Sequence, residues 1–307
     1  MGEIINWFVI VNPSAGNGMV RRKWPKIQNL FKQYGMQYEV AQTAYHKHGL
    51  VLAVDAIKNG FRHLIIVGGD GTIHNVINGI MQQQVVAKSS VSIGIIPVGT
   101  GNDWVKTFGM PKQIDSAVRS LLNPKTVLHD VGVIRSVNNC FTETYFNNLT
   151  GIGYDGYVVN KVKSYKKFGV LAYLFGALSG IFKAKNFSCT ITTENQSSSL
   201  NVLMVLIGIG KYSGGGMQLT RYSNFDNGLF DISMAKSFSP MDIIRNLPNL
   251  FNGKITNHKK VSIDQSSFIK IALTDNEQPY IQSDGELLGT GGFEIRIIPR
   301  AIRVIVP

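Results

Sequence analysis

The sequence predicts an α/β fold in two parts: an N-terminal half built on a parallel sheet and a C-terminal half that is β-rich, antiparallel and sandwich-like. Three observations predict it. Short apolar runs alternate with helical periodicity up to about residue 129; three glycine-bearing turns follow apolar runs in that half; and from Asp130 onward short β-type runs dominate. The chain has 307 residues, more than one small core needs, so the boundaries read as 1–130 plus 294–307 for the first domain and 131–293 for the second.

Ile4 to Val11 is a short apolar run stopped by Asn12-Pro13, which reads as a buried strand. Val20, Trp24, Ile27, Leu30 or Phe31, and Tyr34 then recur at helical spacing, with Gly35 as the stop. Tyr38 to Thr43 is a second strand, and Gly49 to Lys58 a helix closed by Asn59-Gly60. His63 to Val67 opens into Gly68-Gly69-Asp70-Gly71-Thr72, followed by a helix to about Met81. Val91 to Val98 ends at Gly99-Thr100-Gly101-Asn102-Asp103. Turns at the carboxyl edge of a parallel sheet are where ligands of such folds bind.

In the second half the strand-like runs are 131–137, 142–150, 187–193, 201–208, 229–236, 267–273, 293–298 and 303–306, with helical stretches near 157–182 and 240–252.

Composition narrows the function. Apolar residues make up 44% and charged residues 16%, which is globular, and Lys plus Arg exceed Asp plus Glu by 31 to 19, a net charge of +12. That balance favours phosphate-bearing partners such as nucleotides, nucleic acid or anionic lipid. No nucleic-acid-binding motif appears, so nucleic acid is not expected as a partner. Cys140 and Cys189 read as buried free thiols in a reducing compartment, without metal-ligand spacing. The N-terminus lacks the features of a signal peptide, and the apolar stretch Phe168–Phe182 is short for a membrane span. The expected location is the cytoplasm, with peripheral contact at the inner membrane face.

Three turns carry the chemistry. In Gly68–Thr72 the glycines let backbone N–H groups turn inward toward an anion, and the next helix presents its positive end to phosphate. Asp70 beside that nest would repel bare phosphate and so points to work through Mg²⁺. The alternative is a tight turn with Asp70 or Thr72 as helix cap. Asn12–Gly18 is neither a Walker loop nor a dinucleotide fingerprint. With Gly99–Asp103 it gives three small-residue turns at one edge, and the shared ligand they imply is a polyphosphate.

The set NPSAGNG, GGDGT, GTGND, YSGGGM at 212–217, DNGLFD at 226–231 and SDGE at 283–286 resembles the diacylglycerol kinase catalytic-domain family, in particular its bacterial soluble lipid kinases, and more distantly sphingosine and ceramide kinases. The resemblance runs from residue 4 to the C-terminus. It implies an N-terminal nucleotide-binding domain, a β-rich lipid-substrate domain and ATP in a cleft between them, with a last strand that returns to the first domain. It implies ATP contacts from Asn12, Gly16, Thr43, Gly68, Gly69, Asp70, Gly71, Thr72, Thr100, Gly101 and Asn102. It implies Glu286 as the general base on a lipid hydroxyl, with Asp284 and Asp70 in the catalytic set. The lipid is expected to be diacylglycerol, and Mg²⁺ is expected with ATP.

Two departures from the family pattern stand out. Asn75, preceded by His74, occupies the position of a usual glutamate. In the second domain some members hold Mg²⁺ through a DDG motif that here reads Asp226-Asn227-Gly228; the corresponding ligands would be Asn224, Asn227 and the Leu229 position. The lysines 161, 163, 166, 167, 183 and 185 flank the 168–182 stretch and suggest a helix lying on an anionic bilayer; an ordinary buried helix fits the same pattern. An enzyme like NAD kinase, which shares a GGDG loop, and a degenerate member that binds without turnover are the competing readings. A homodimer is one assembly the sequence allows.

Overall fold

The computed structural model describes residues 5–99, 101–137, 141–165, 181, 185–274 and 276–307, with backbone alone over 162–165. Thr100, Cys140, Lys166, Lys167, Lys183, the side chain of Lys163 and the 168–182 stretch apart from Ile181 lie outside the described residues. The chain forms two compact units, Met1–His129 with Arg300–Pro307, and Asp130–Pro299.

The first unit alternates β1 (Asn6–Val11), α1 (Ala15–Gln33), β2 (Gln37–Gln42), α2 (His48–Lys58), β3 (His63–Gly68), α3 (Asp70–Gln82), β4 (Ser92–Pro97), α4 (Asp103–Lys106) and α5 (Ile114–Arg119). The strands lie in the order β2-β1-β3-β4, all parallel, and Arg303 and Val304 pair in parallel beside Ser92 and Ile93. Strand side chains alternate between the two faces. Val9, Val11, Ile65 and Val67 share a buried cluster with Val20, Trp24, Ile27 and Phe31 of α1 and Val118 of α5. The intervening residues Ile10, Leu64 and Ile66 are fully buried on the other face, where α2 and α3 pack. A sheet covered on both faces explains why β3 and β4 are almost uninterrupted apolar runs.

The second unit begins within β5 (Lys125–Ser136) and continues through β6 (Thr144–Phe146), β7 (Leu149–Gly153), α6 (Tyr154–Tyr165), β8 (Phe187–Thr193), β9 (Ser197–Gly208), β10 (Tyr212–Ser213), β11 (Met217–Gln218), β12 (Phe230–Lys236), α7 (Pro240–Phe251), β13 (Val261–Ser266), β14 (Phe268–Leu273), β15 (Tyr280–Ser283), β16 (Glu286–Thr290) and β17 (Phe293–Val306). The order is β16-β15-β7-β9-β8-β14-β17, with β12 on the other side of β9 and β13 beyond it. The pairings are antiparallel. One face carries a core that includes Phe146, Phe187, Ile207, Phe230 and Phe293. A second apolar cluster gathers Leu149, Tyr154, Leu206, Leu219, Phe238 and Ile243.

Three sequence expectations change here. The run 142–150 is two strands, because it breaks at Asn147-Asn148, whose N–H groups turn to a distant carboxylate. The runs 293–298 and 303–306 are one strand, which passes through a left-handed residue at Arg300. The helical stretch near 157–182 starts earlier, at Tyr154. Cys189 is fully buried in the core of the second unit. Among the described residues no helix is long and apolar enough to cross a membrane.

Candidate active site

In the first unit the three turns are in mutual contact. Asn12 donates its side-chain amide to the Thr72 hydroxyl at 2.9 Å, joining the first turn to the second. Its own side-chain oxygen accepts from the Ser14 N–H at 3.2 Å, which tightens the first turn. Gly16, Asn17 and Gly18 are all left-handed, with φ of +59°, +54° and +78°. Only glycine and asparagine adopt that backbone readily. The regular part of α1 therefore begins after this turn, and Met19, at its start, crowds the Gly16 position.

Gly68 and Thr72 show why the second turn has its composition. A Cβ at Gly68 would stand 2.5 Å from the Thr72 hydroxyl oxygen. Gly69 is extended and begins α3, and a Cβ at Gly71 would meet nothing within 4 Å. The positive end of a 13-residue helix lies at this turn. The third turn closes against the second: a Cβ on Gly99 would lie 3.1 Å from the Gly69 Cα. Asn102 is left-handed, donates to the Gly99 carbonyl at 3.2 Å, and keeps a buried side-chain oxygen with no hydrogen-bond partner among the described residues. Thr43 continues β2, its N–H donating to the Val11 carbonyl, and its methyl lies near Gly49.

The Asp70 carboxylate accepts the N–H groups of Asp103 at 3.1 Å and Trp104 at 3.3 Å, so it ties the third turn to the second. Asp103 in turn binds Lys106 at 2.6 Å. The Trp104 indole donates to buried His129 at 3.0 Å, anchoring α4.

In the second unit Asp284 and Gly285, at φ of +48° and +81°, form the two-residue turn between β15 and β16, with Ser283 paired to Glu286. Two consecutive positive φ angles make the type I′ geometry that Asp-Gly favours. The Asp284 carboxylate accepts the N–H groups of Asn147, Asn148 and Leu149, each at 3.0 Å. The side-chain oxygens of Asn147 and Asn148 are buried with no hydrogen-bond partner among the described residues. The Asn148 amide donates to the Tyr212 carbonyl at 2.9 Å, which brings the YSGGGM segment to the same cluster. Asp284 therefore holds the turn that carries Glu286, and Glu286 is the carboxylate at the start of β16.

Two further polar residues join this cluster. Asp155 is half-buried, and its desolvation pushes the carboxyl up to about 6. It accepts from the Gln282 amide at 2.5 Å, while the oxygen of Gln282 accepts from the Gly285 N–H at 2.9 Å. Nothing local in the sequence marks Asp155 or Gln282, since they stand 127 positions apart. The polar pair Asn147-Asn148 inside an apolar run was a readable signal.

The loop expected to hold a cation is closed by protein contacts. Asn227 accepts from the Leu229 N–H at 3.1 Å, and the Gly228 N–H donates to Asp130 at 2.7 Å. Among the described residues no group of three acidic, histidine or cysteine side chains gathers there or elsewhere. The donor set offered by Asn224, Asn227 and Leu229 is neutral and does not fit a resident Mg²⁺.

Beside the Asp284 cluster's helix α6 lies an apolar pocket of about 80 Å³ that opens to solvent. Its walls include Tyr154, Leu206, Leu219, Phe238, Ile243 and Leu250.

Comparison with known proteins agrees with both halves. Residues 6–134 match the diacylglycerol kinase catalytic domain, and residues 148–306 match the YegS C-terminal NAD kinase beta sandwich-like domain. A diacylglycerol kinase of Bacillus subtilis is 24% identical over 97% of this chain and 95% of its own. A diacylglycerol kinase of Mycobacterium tuberculosis is 25% identical over 99% and 96%. The crystal structure of a diacylglycerol kinase from Bacillus anthracis superposes with a TM-score of 0.75 at 21% identity, covering 100% of this chain and 98% of the other. The chain belongs to the diacylglycerol kinase-like, YegS-like family of lipid kinases.

Proposed function

We propose that the protein transfers the γ-phosphate of MgATP to the free hydroxyl of diacylglycerol, giving phosphatidic acid and ADP. The observation that carries the choice of a lipid acceptor is the apolar pocket in the second unit, the unit that also carries Glu286. An acyl chain loses its contact with water in such a pocket, at about 0.8 kcal/mol per buried methylene.

In this reading the turns of Asn12–Gly18, Gly68–Thr72 and Gly99–Asn102 take the phosphates, and Thr43 borders the nucleotide. The α3 N-terminus supplies positive potential. Asp70 is the carboxylate assigned to the Mg²⁺ that ATP brings. The lipid hydroxyl oxygen attacks the γ-phosphorus; its proton passes to the Glu286 carboxylate, and the bond to the β-phosphate oxygen breaks toward ADP. Asp284 positions Glu286 through the turn and takes no proton.

The test is transfer of labelled γ-phosphate from ATP to diacylglycerol, monoacylglycerol, a sphingoid base, a polyprenol and NAD, each with Mg²⁺. Labelling of diacylglycerol above the others is expected. Preferential labelling of NAD, or tight ATP binding with no labelled acceptor, would contradict the proposal.

A further inference from the structure

Helix α7 is apolar on two sides. Its inner side lends Ile243, Leu247 and Leu250 to the wall of the apolar pocket. Its outer side leaves Met241, Ile244 and Phe251 exposed by 51%, 39% and 45%. These positions, with exposed Pro248 between them, follow helical spacing and so share one side of the helix. A surface row of large apolar side chains is costly in water unless something covers it.

The charges around the row point to what does. Arg245 on the helix and Lys254 and Lys259 just beyond it are exposed. The single acid of the helix, Asp242, is neutralised: Lys260 binds it at 2.6 Å, and Ser239 pairs with it in a capping box. Lys260 and those bonds hold its carboxyl well below the usual range. A shallow depression lined by Arg221, Tyr222, His258 and Lys259 shares Thr256 and Val261 with the apolar pocket, so cations stand where that pocket adjoins the surface. Tyr222 is 54% exposed there, an amphipathic ring suited to a lipid–water boundary.

We propose that the outer face of α7 docks the protein onto an anionic lipid bilayer, with Met241, Ile244 and Phe251 entering the acyl boundary and Arg245, Lys254 and Lys259 meeting the headgroups. The inner face of the same helix then places the apolar pocket next to the layer that holds its ligand, a use that rests on the lipid-kinase reading.

The test is co-sedimentation of the full chain with phosphatidylcholine vesicles, with and without phosphatidylglycerol. Two variants are compared: Met241→Ser/Ile244→Ser/Phe251→Ser, and Arg245→Glu/Lys254→Glu. The native chain is expected to pellet with the anionic vesicles, and the charge-reversed variant to lose at least about tenfold in binding. The serine variant is expected to bind more weakly to the same vesicles. Phosphorylation of a short-chain diacylglycerol dispersed as monomers is expected to stay within about twofold of native in both. Binding by both variants equal to that of the native chain would overturn the proposal, as would a native dimer that the serine variant converts to monomer, which would make a second copy the cover. Vesicle binding is read without turnover, so a chain that binds vesicles but phosphorylates no lipid refutes the proposed function and leaves the docking surface standing.

Discussion

Gln282 donates its side-chain amide to the half-buried Asp155 carboxylate over 2.5 Å, and its other end accepts from Gly285. A partly desolvated acid of the second unit is thereby connected to the turn that precedes Glu286. Burial raises Asp155 from 3.8 to about 6, so the folded chain keeps a proton that the unfolded chain releases. The associated stability is present in full below pH 3.8 and is lost as pH rises through about 6. Asp155→Asn, which keeps an acceptor for Gln282 without the charge, is expected to gain stability over the native chain between pH 4 and pH 7, by on the order of 1–3 kcal/mol at the upper end. Urea unfolding at both pH values checks this; parallel pH profiles for the two proteins would contradict it.

Asp284 accepts three backbone N–H groups across the break between β6 and β7. Asp284→Ala leaves those donors without their charged partner and is expected to cost about 2–4 kcal/mol of stability. Asp284→Asn, which retains one acceptor oxygen, is expected to lose less stability and to keep more activity. Thermal melts and initial rates on the same lipid dispersion rank the three proteins, and equal melting of the alanine variant and the native chain would refute the role.

Gly68 has no room for a side chain, since a Cβ would meet the Thr72 hydroxyl oxygen at 2.5 Å. Gly68→Ala is expected to displace Thr72, break its bond to Asn12, and weaken ATP binding by at least about tenfold. Gly71→Ala meets no neighbour within 4 Å and is expected to leave the fold unchanged. Calorimetric titration with MgATP reads the first effect, and melting temperatures read the second.

Much of the first unit was legible because its signals are local. The apolar runs of β1, β3 and β4 each end in a glycine-bearing turn, and the spacing of Val20, Trp24, Ile27 and Phe31 marks the buried side of α1. Gly35 and Gly60, read as helix stops, are left-handed. The second unit was less legible because its contacts are remote. β13 and β15 have mixed composition and become strands by pairing with partners remote in sequence, as Ile281 does with Ile152, and β16 is added to β15 through their shared turn. Asp284-Gly285 was readable as a hairpin turn, but its three bonds to 147–149 depend on folding over more than a hundred residues. Asp70 read as a carboxylate poised for metal, and its bonds to Asp103 and Trp104 required the third turn to be in place.

The most direct test of the central claim compares the native chain with Glu286→Gln in single-turnover phosphate transfer from MgATP to diacylglycerol. Removal of a general base costs about 10²–10⁴-fold in rate. The account predicts a loss of that size in the transfer step, with MgATP affinity within about threefold of native, because Glu286 acts on the lipid hydroxyl. A transfer rate in Glu286→Gln equal to that of the native chain would contradict it.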